Sequence, residues 1–292
     1  MNDGATAARI ATAKRCGTIV AASSTVPASP TDIASADVPS TSTQVPRHLS
    51  APFASTVFRL APNGTLRAAI NFGNAILAKR DAAGQPTGVS VDLARELARR
   101  LGVPVEFVTY ESAGKVVDGL KDGAWDVAFL AIDPARAIDI AYTAPYVVIE
   151  GAYLVREGSQ LAANDQVDRP QTRVVVARGS AYDLFLSRQL AQAALVRVPT
   201  SQEVVDRFVA QSLDVAAGVR QQLESDARRI PGLRLLPGCF MAINQAMGIP
   251  RGRDAALPWL REFVEQMKRS GFVSQSLARH RIEGVSLAPP AR

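Results

Sequence analysis

The stretch DVAFLAIDPARAIDIAYTAPY, residues 126–146, decides the reading. Its apolar run, Val127 to Ile132, is short and lacks a polar face, so it predicts a strand buried on both sides. The run stops at Asp133-Pro134-Ala135-Arg136, and an aromatic-rich segment begins at Tyr142. Strands covered on both faces belong to parallel α/β sheets, where ligands sit beyond the carboxyl ends of the strands. Arg136 stands at such an end. Its planar fork matches a carboxylate through two parallel hydrogen bonds. An exposed arginine paired with Asp133 or Asp139 explains it equally well, at less than ~1 kcal/mol. The residues alone leave both readings open.

Upstream, the grammar is strand, helix, strand, helix. TLRAAINFG predicts a short buried strand ending in a glycine turn, and DAAGQPTG a hairpin loop. VSVDLARELARRLGV is an amphipathic helix: Leu93, Leu97 and Leu101 share a face, and Gly102 stops it. PVEFVTY follows as a strand. SAGKVVDGLKDG then reads as a helix capped by Ser112 and ended by Gly123. Alternation of this kind argues α/β with parallel pairing.

An internal echo extends the pattern. Val116-Val117-Asp118 and Asp126-Val127-Ala128 recur as Val204-Val205-Asp206 and Asp214-Val215-Ala216, both displaced by 88 residues (204 − 116 and 214 − 126). A strand and a polar helix start, Ser112 or Thr200, precede each copy. Two α/β lobes of like topology are expected. Their strand exits are polar: Asn71 and Asn74, then Asp133 and Arg136, in the first lobe; Gly179, Ser180 and Tyr182, then Val219 and Arg220, in the second. Facing one another, these four exits would line a cleft.

Bulk properties narrow the classes. The 292 residues are 47% hydrophobic and 21% charged, enough for one large domain or two modest ones. The net charge of +6 comes from scattered arginines without interleaved aromatics, so no nucleic-acid partner is expected. Cys16 and Cys239 make no disulfide framework and no metal site. With His48 and His280 as the histidines, a His-based zinc site or a Ser-His-Asp triad lacks material. His280 is expected on the surface of a terminal helix. No cofactor is expected. No stretch approaches the ~20 apolar residues of a membrane span. Residues 1–60, rich in Ala, Ser, Thr and Pro, have no helical or strand period and read as a disordered leader. Lys14 and Arg15 precede an apolar segment shorter than the usual ~7–15-residue signal core, which leaves export open.

Taken in order and spacing, GVSVDLARELARRLGV, LKDGAWDVAFLAIDPARA, AYTAPY, VVVARGSAYD and SLDVAAGV make residues 65–283 resemble family 3 extracellular solute-binding proteins. The resemblance implies two Rossmann-like lobes joined by a two-segment hinge, the periplasmic-binding-protein-like type II fold. The chain would cross between lobes near Gly151–Arg156 and near Phe240–Met247. Lobe one is then 61–153 plus 243–292, and lobe two 154–242.

The resemblance also raises specific expectations for the cleft, made of Asn71, Asn74, Ala131, Asp133, Arg136, Glu150, Ser180, Ala181, Tyr182 and Arg220. Arg136 takes the family role of holding a ligand carboxylate. The loop at Gly179-Ser180-Ala181 serves the same group through backbone N–H donors at a helix start. Asp133 replaces the usual threonine and reads also as a helix N-cap before Pro134. Tyr182 either stacks on the ligand or packs under the loop. Arg220 either holds a second anionic group or pairs with Glu224. Amino-acid binders of the family typically carry an acid where Val219 stands, and an acid and a stacking aromatic near Asn71 and Asn74. Either Asp133 or Glu150 replaces the missing acid, or the ligand lacks the amine, since a buried unpaired ammonium is costly. Trp125 and Trp259 read as packing residues.

The implied function is non-enzymatic: a monomeric binding protein that closes on a small carboxylate, amino acid or related organic acid, and delivers it to a membrane ABC permease. The implied address is periplasmic or extracytoplasmic, with the cytoplasm left open by the leader. Two alternatives use the same fold. One is a cyclohexadienyl-dehydratase-like enzyme, with Asp133 or Glu150 as its acid; the other is a sensor or orphan binder outside transport.

Overall fold

The computed structural model describes residues 51–291. The basic pair, His48 and most of the expected leader lie outside the described residues. The leader's last part is not unstructured, which corrects that expectation: Ala51–Leu60 forms helix α1. Val57 and the fully buried Leu60 turn toward the core, and the helix packs against Asp254–Ala256. Its apolar spacing is too short for periodicity alone to separate it from the preceding Ala/Ser/Thr tract.

Lobe one begins with strand β1 (Leu66–Asn71). A small hairpin follows, β2 (Lys79–Arg80) with β3 (Pro86–Thr87). Helix α2 (Val89–Leu101) buries Leu93, Leu97 and Leu101 and ends on Gly102, whose φ of 68° lets its N–H close on Ala98 and Arg99 carbonyls. Then come β4 (Val105–Tyr110), α3 (Ala113–Lys121) and β5 (Val127–Ala131). Ser112 Oγ accepts the Lys115 N–H and starts α3, as expected. All five residues of β5 are buried. Both neighbours of β1, namely β4 and β5, run parallel to it.

The long strand β6 (Ile140–Arg156) leads out of this lobe. Lobe two is built from β7 (Arg173–Ala177), α4 (Ala181–Gln189), β8 (Ala194–Val198), α5 (Glu203–Ala210), β9 (Val215–Val219), α6 (Arg220–Arg229) and β10 (Leu233–Leu235). Here β7 is parallel to β8 and β9. Strand β11 (Met241–Pro250) returns, and α7 (Leu257–Arg269), α8 (Phe272–Arg279) and β12 (Ser286–Leu287) complete the chain. The main sheet has the order β4-β1-β5-β11-β6-β9-β7-β8. Two parallel sets thus flank an antiparallel pair, and β6 bonds to β11 along one stretch and to β9 at Gly151–Leu154. No helix among the described residues is long and apolar enough to cross a membrane.

The sequence echo has a physical counterpart. Arg67, in β1, donates from its backbone N–H and Nε to Asp126 Oδ2 at 2.9 and 3.0 Å. Arg173, in β7, donates from the same two groups to Asp214 Oδ2 at 2.8 and 3.0 Å. Each aspartate stands just before the inner strand of its parallel set, β5 or β9, and ties it to the neighbouring strand, β1 or β7. The two clasps differ in burial. Asp126 is fully buried and also receives Arg253, at 2.7 Å, whereas the Asp214 side chain is 41% exposed.

Cys239 is buried just before β11. One other expectation is corrected. His280 is less exposed than expected: its side chain is 13% exposed and its Nε2 lies 2.9 Å from Asp92 Oδ2, which also accepts from buried Ser276 and exposed Arg279. Trp125 behaves as expected, fully buried with Nε1 donating to the Val116 carbonyl.

Burial would raise the Asp126 carboxyl, but hydrogen bonds from Arg67 and Arg253 outweigh it and hold the group below the ordinary range. Asp214 is lowered by the same balance, with Arg173 as its partner. A carboxyl depressed in the folded state stabilises fully above its unfolded value, roughly pH 4, and loses that contribution as pH falls further. Removing one partner of a buried pair costs about 3–5 kcal/mol, against less than ~1 kcal/mol for an exposed one. Urea titration at neutral pH should therefore show Asp126→Ala far less stable than Asp214→Ala. Equal midpoints for the two variants would contradict the burial argument. Below about pH 4 the gap between Asp126→Ala and the parent should narrow.

Candidate functional site

The exits of β1, β5, β7 and β9 converge between the lobes. Asn71 ends β1, and its Oδ1 accepts the Gly73 N–H at 2.9 Å. Asn74 lies one turn on; its Oδ1 is buried and has no hydrogen-bond partner. Ala131 ends β5. From lobe two, Gly179 has φ +68°, and a Cβ there would stand 3.0 Å from the Gly114 Cα of α3. Two glycines let the backbones of the lobes touch at this point. Ser180 caps α4 by accepting the Asp183 N–H at 3.0 Å, and buried Tyr182 donates to Ser201 Oγ at 3.0 Å. Burial raises the Tyr182 hydroxyl above its ordinary range, so it stays a neutral donor.

Arg136 sits in this junction with 4% exposure. Its Nη1 donates to the Ala131 carbonyl at 3.0 Å, and its Nη2 crosses to the Gly179 carbonyl of lobe two at 2.7 Å. Its Nε is buried without a partner. Neither bond is to a carboxylate. Burial lowers its pKa, countered by Tyr142 and Asp133, though a guanidinium remains charged at any physiological pH. Tyr142, its neighbour, is pushed up to about 12 by burial, and its hydroxyl is also buried without a partner.

A cavity of about 40 Å³ lies here. It brings together seven of the expected residues: Asn71, Asn74, Ala131, Arg136, Ser180, Ala181 and Tyr182. Three others fall outside it. Asp133 faces Arg188 of α4 across the lobe boundary, Oδ2 to Nη2 at 2.7 Å, while its Oδ1 accepts the Ala135 N–H. It thus caps a turn into the short helix at Arg136–Ile138 and ties the lobes, but does not reach the cavity. Glu150, on β6, is held 2.6 Å from Arg220 Nε. Arg220 in turn has Glu224 at 3.9 Å, so the intrahelical pairing weighed from the sequence is the weaker of its two.

Other lining residues gave no sequence signal of their own. Ser112 reads only as a helix start, and nothing in the sequence singles out Ser201, Gln245 or Arg178. Arg188 was equally silent, because its partner lies 55 residues away in the other lobe. A larger groove, about 520 Å³, runs between residues 75–88, α6 and residues 280–284. Its arginines share it with Glu224 and Glu283, and it lies off the exits of β5 and β7. The small cavity, where an unmatched cation is buried, is the chemically directed one. No group of three or more metal-ligating side chains occurs among the described residues.

Comparison with known proteins decides the family. The model of bacterial extracellular solute-binding proteins, family 3, matches residues 66–281. This chain belongs to that family. The solute receptor for L-cysteine of Neisseria gonorrhoeae superposes with a TM-score of 0.69 at 20% identity, covering 80% of this chain and 99% of that one. An ancestral amino acid-binding protein, a precursor of cyclohexadienyl dehydratase, gives 0.66 at 22%, covering 78% and 99%. At such identities these likenesses establish the fold: two α/β lobes of the periplasmic-binding-protein-like type II class. A membrane-bound lytic murein transglycosylase F from Idiomarina loihiensis is 23% identical over 201 residues, 66% of this chain but 44% of that protein. The chain thus spans less than half the length of this curated relative.

The Asp133–Arg188 pair joins one buried and one 41% exposed partner. It should hold the two lobes together by about 1 kcal/mol, roughly fivefold in any equilibrium that separates them. Arg188→Met should enlarge the radius of gyration in small-angle scattering; a superimposable scattering curve would show that the pair does not bias closure.

Proposed function

We propose that this protein is a receptor for a small carboxylate, which it binds between its lobes and releases to a membrane ABC permease outside the cytoplasm. The buried guanidinium of Arg136, without a carboxylate partner and with Nε unpaired, carries the reading. Taking a cation out of water is costly unless an anion meets it. A ligand carboxylate would supply that anion, with the Ser180–Ala181 helix start offering further N–H donors.

In this reading residues 61–153 with 243–292 form one moving body and residues 154–242 the other, hinged on β6 and β11. The cavity of about 40 Å³ has room for roughly one or two waters, so a ligand enters a more open form and the lobes then close over it. The ligand favours closure by the difference in its affinity for the two forms. Asn71, Asn74, Ala131, Ser180, Ala181 and Tyr182 frame the bound molecule, which needs no chemical change. The dehydratase-like alternative requires an acid in the cleft, and both candidates, Asp133 and Glu150, are clamped by arginines outside it.

Arg136→Met tests the assignment. Calorimetry should show carboxylate affinity falling at least about 100-fold, the loss of a charge-assisted pair in a dry site. Without ligand the variant should melt no lower than the parent, because an unmatched buried charge has been removed. Retained affinity, or a large loss of ligand-free stability, would move Arg136 from ligand binding to architecture.

A further inference from the structure

The balance of charge around the cavity specifies its ligand more closely. The buried cation Arg136 lines it, Arg178 borders it as an exposed residue, and no aspartate or glutamate lines it. The nearby carboxylates are already engaged. Asp133 is gripped by both Nη atoms of Arg188, at 2.7 and 3.3 Å, and also accepts the Ala135 N–H. Glu150 is gripped by Arg220, which also donates to the Gly238 carbonyl. Asp183, below the Ser180 turn, accepts the Gly179 N–H and faces Arg197. Val219 offers only a hydrocarbon at the exit of β9. The remaining polar side chains of the lining are neutral: Asn71, Asn74, Ser112, Ser180, Tyr182, Ser201 and Gln245.

An α-ammonium brought into this site would lose its water, meet the buried Arg136 guanidinium and find no counter-ion. Each of these is unfavourable, and in a dry site the like-charge repulsion is poorly screened. A hydroxyl in the same place carries no charge and donates one hydrogen bond. Asn74 presents one buried acceptor oxygen with nothing bonded to it.

We infer that the site takes carboxylates in which a hydroxyl or other uncharged group stands where an amino acid has its ammonium. The inference rests on the reading of this cavity as the ligand site. It assigns Val219 as the residue that excludes amino acids, since a carboxylate there would restore the missing counter-charge.

Matched pairs of ligands test it by calorimetry on the full chain: lactate and alanine, 2-hydroxyglutarate and glutamate, phenyllactate and phenylalanine. In each pair that binds, the hydroxy acid should be at least about tenfold tighter. Val219→Asp should reverse that order. An amino acid binding as tightly as its hydroxy partner would overturn the inference while leaving a carboxylate receptor in place. Binding of no member of any pair would overturn the carboxylate reading, and the inference with it.

Discussion

The ladder between β6 and β11 is the constraint on which the architecture depends. These two antiparallel strands stand between two parallel sets, and every hydrogen-bonded path from β5 to β9 passes through them. Backbone hydrogen bonds in the middle of a sheet cannot be left unmade without a desolvation cost, so the pair behaves as a tether that bends but does not come apart. Because β6 spans 17 residues, one strand pairs with strands of both lobes. The strand exits on the two sides are thereby held facing one another across a small gap.

Within each lobe the same device anchors the strand next to the antiparallel pair: an aspartate before it, bonded by the backbone and guanidinium of an arginine on the adjacent, central strand. The buried clasp at Asp126 and the half-exposed one at Asp214 show how one geometry can carry different weight. Solvent screening, rather than bond length, sets the difference. The repeated triplets in the sequence are the visible trace of this shared construction. They lie on the helix and strand that the clasp brings into register.

Around the lobe boundary, charge is distributed unevenly. Asp133 and Glu150 are each matched by an arginine from the second lobe, Arg188 and Arg220. Arg136 alone among these groups is buried on carbonyl oxygens only. The matched pairs hold the lobes and the crossing strand in place, and they also withdraw both acids from the cavity. That withdrawal leaves the Arg136 guanidinium as the buried charge of the cavity.

The sequence by itself determined the alternating strands and helices, their caps at Ser112 and Gly102, and the polar strand exits. Those are local properties: apolar period, turn chemistry and cap geometry act within a few residues. It also placed Arg136 at an exit, and resemblance to the family supplied its proposed partner. Tertiary structure alone decided which acids are free to face a ligand. Asp133 looked available until Arg188 met it from the other lobe, and Glu150 until Arg220 did. Helix α1 likewise needed the Asp254–Ala256 segment to bury Leu60, and His280 needed Asp92. Each of these partners is distant in the chain. An ion pair or a buried contact depends on distance in space, which short-range pattern does not encode.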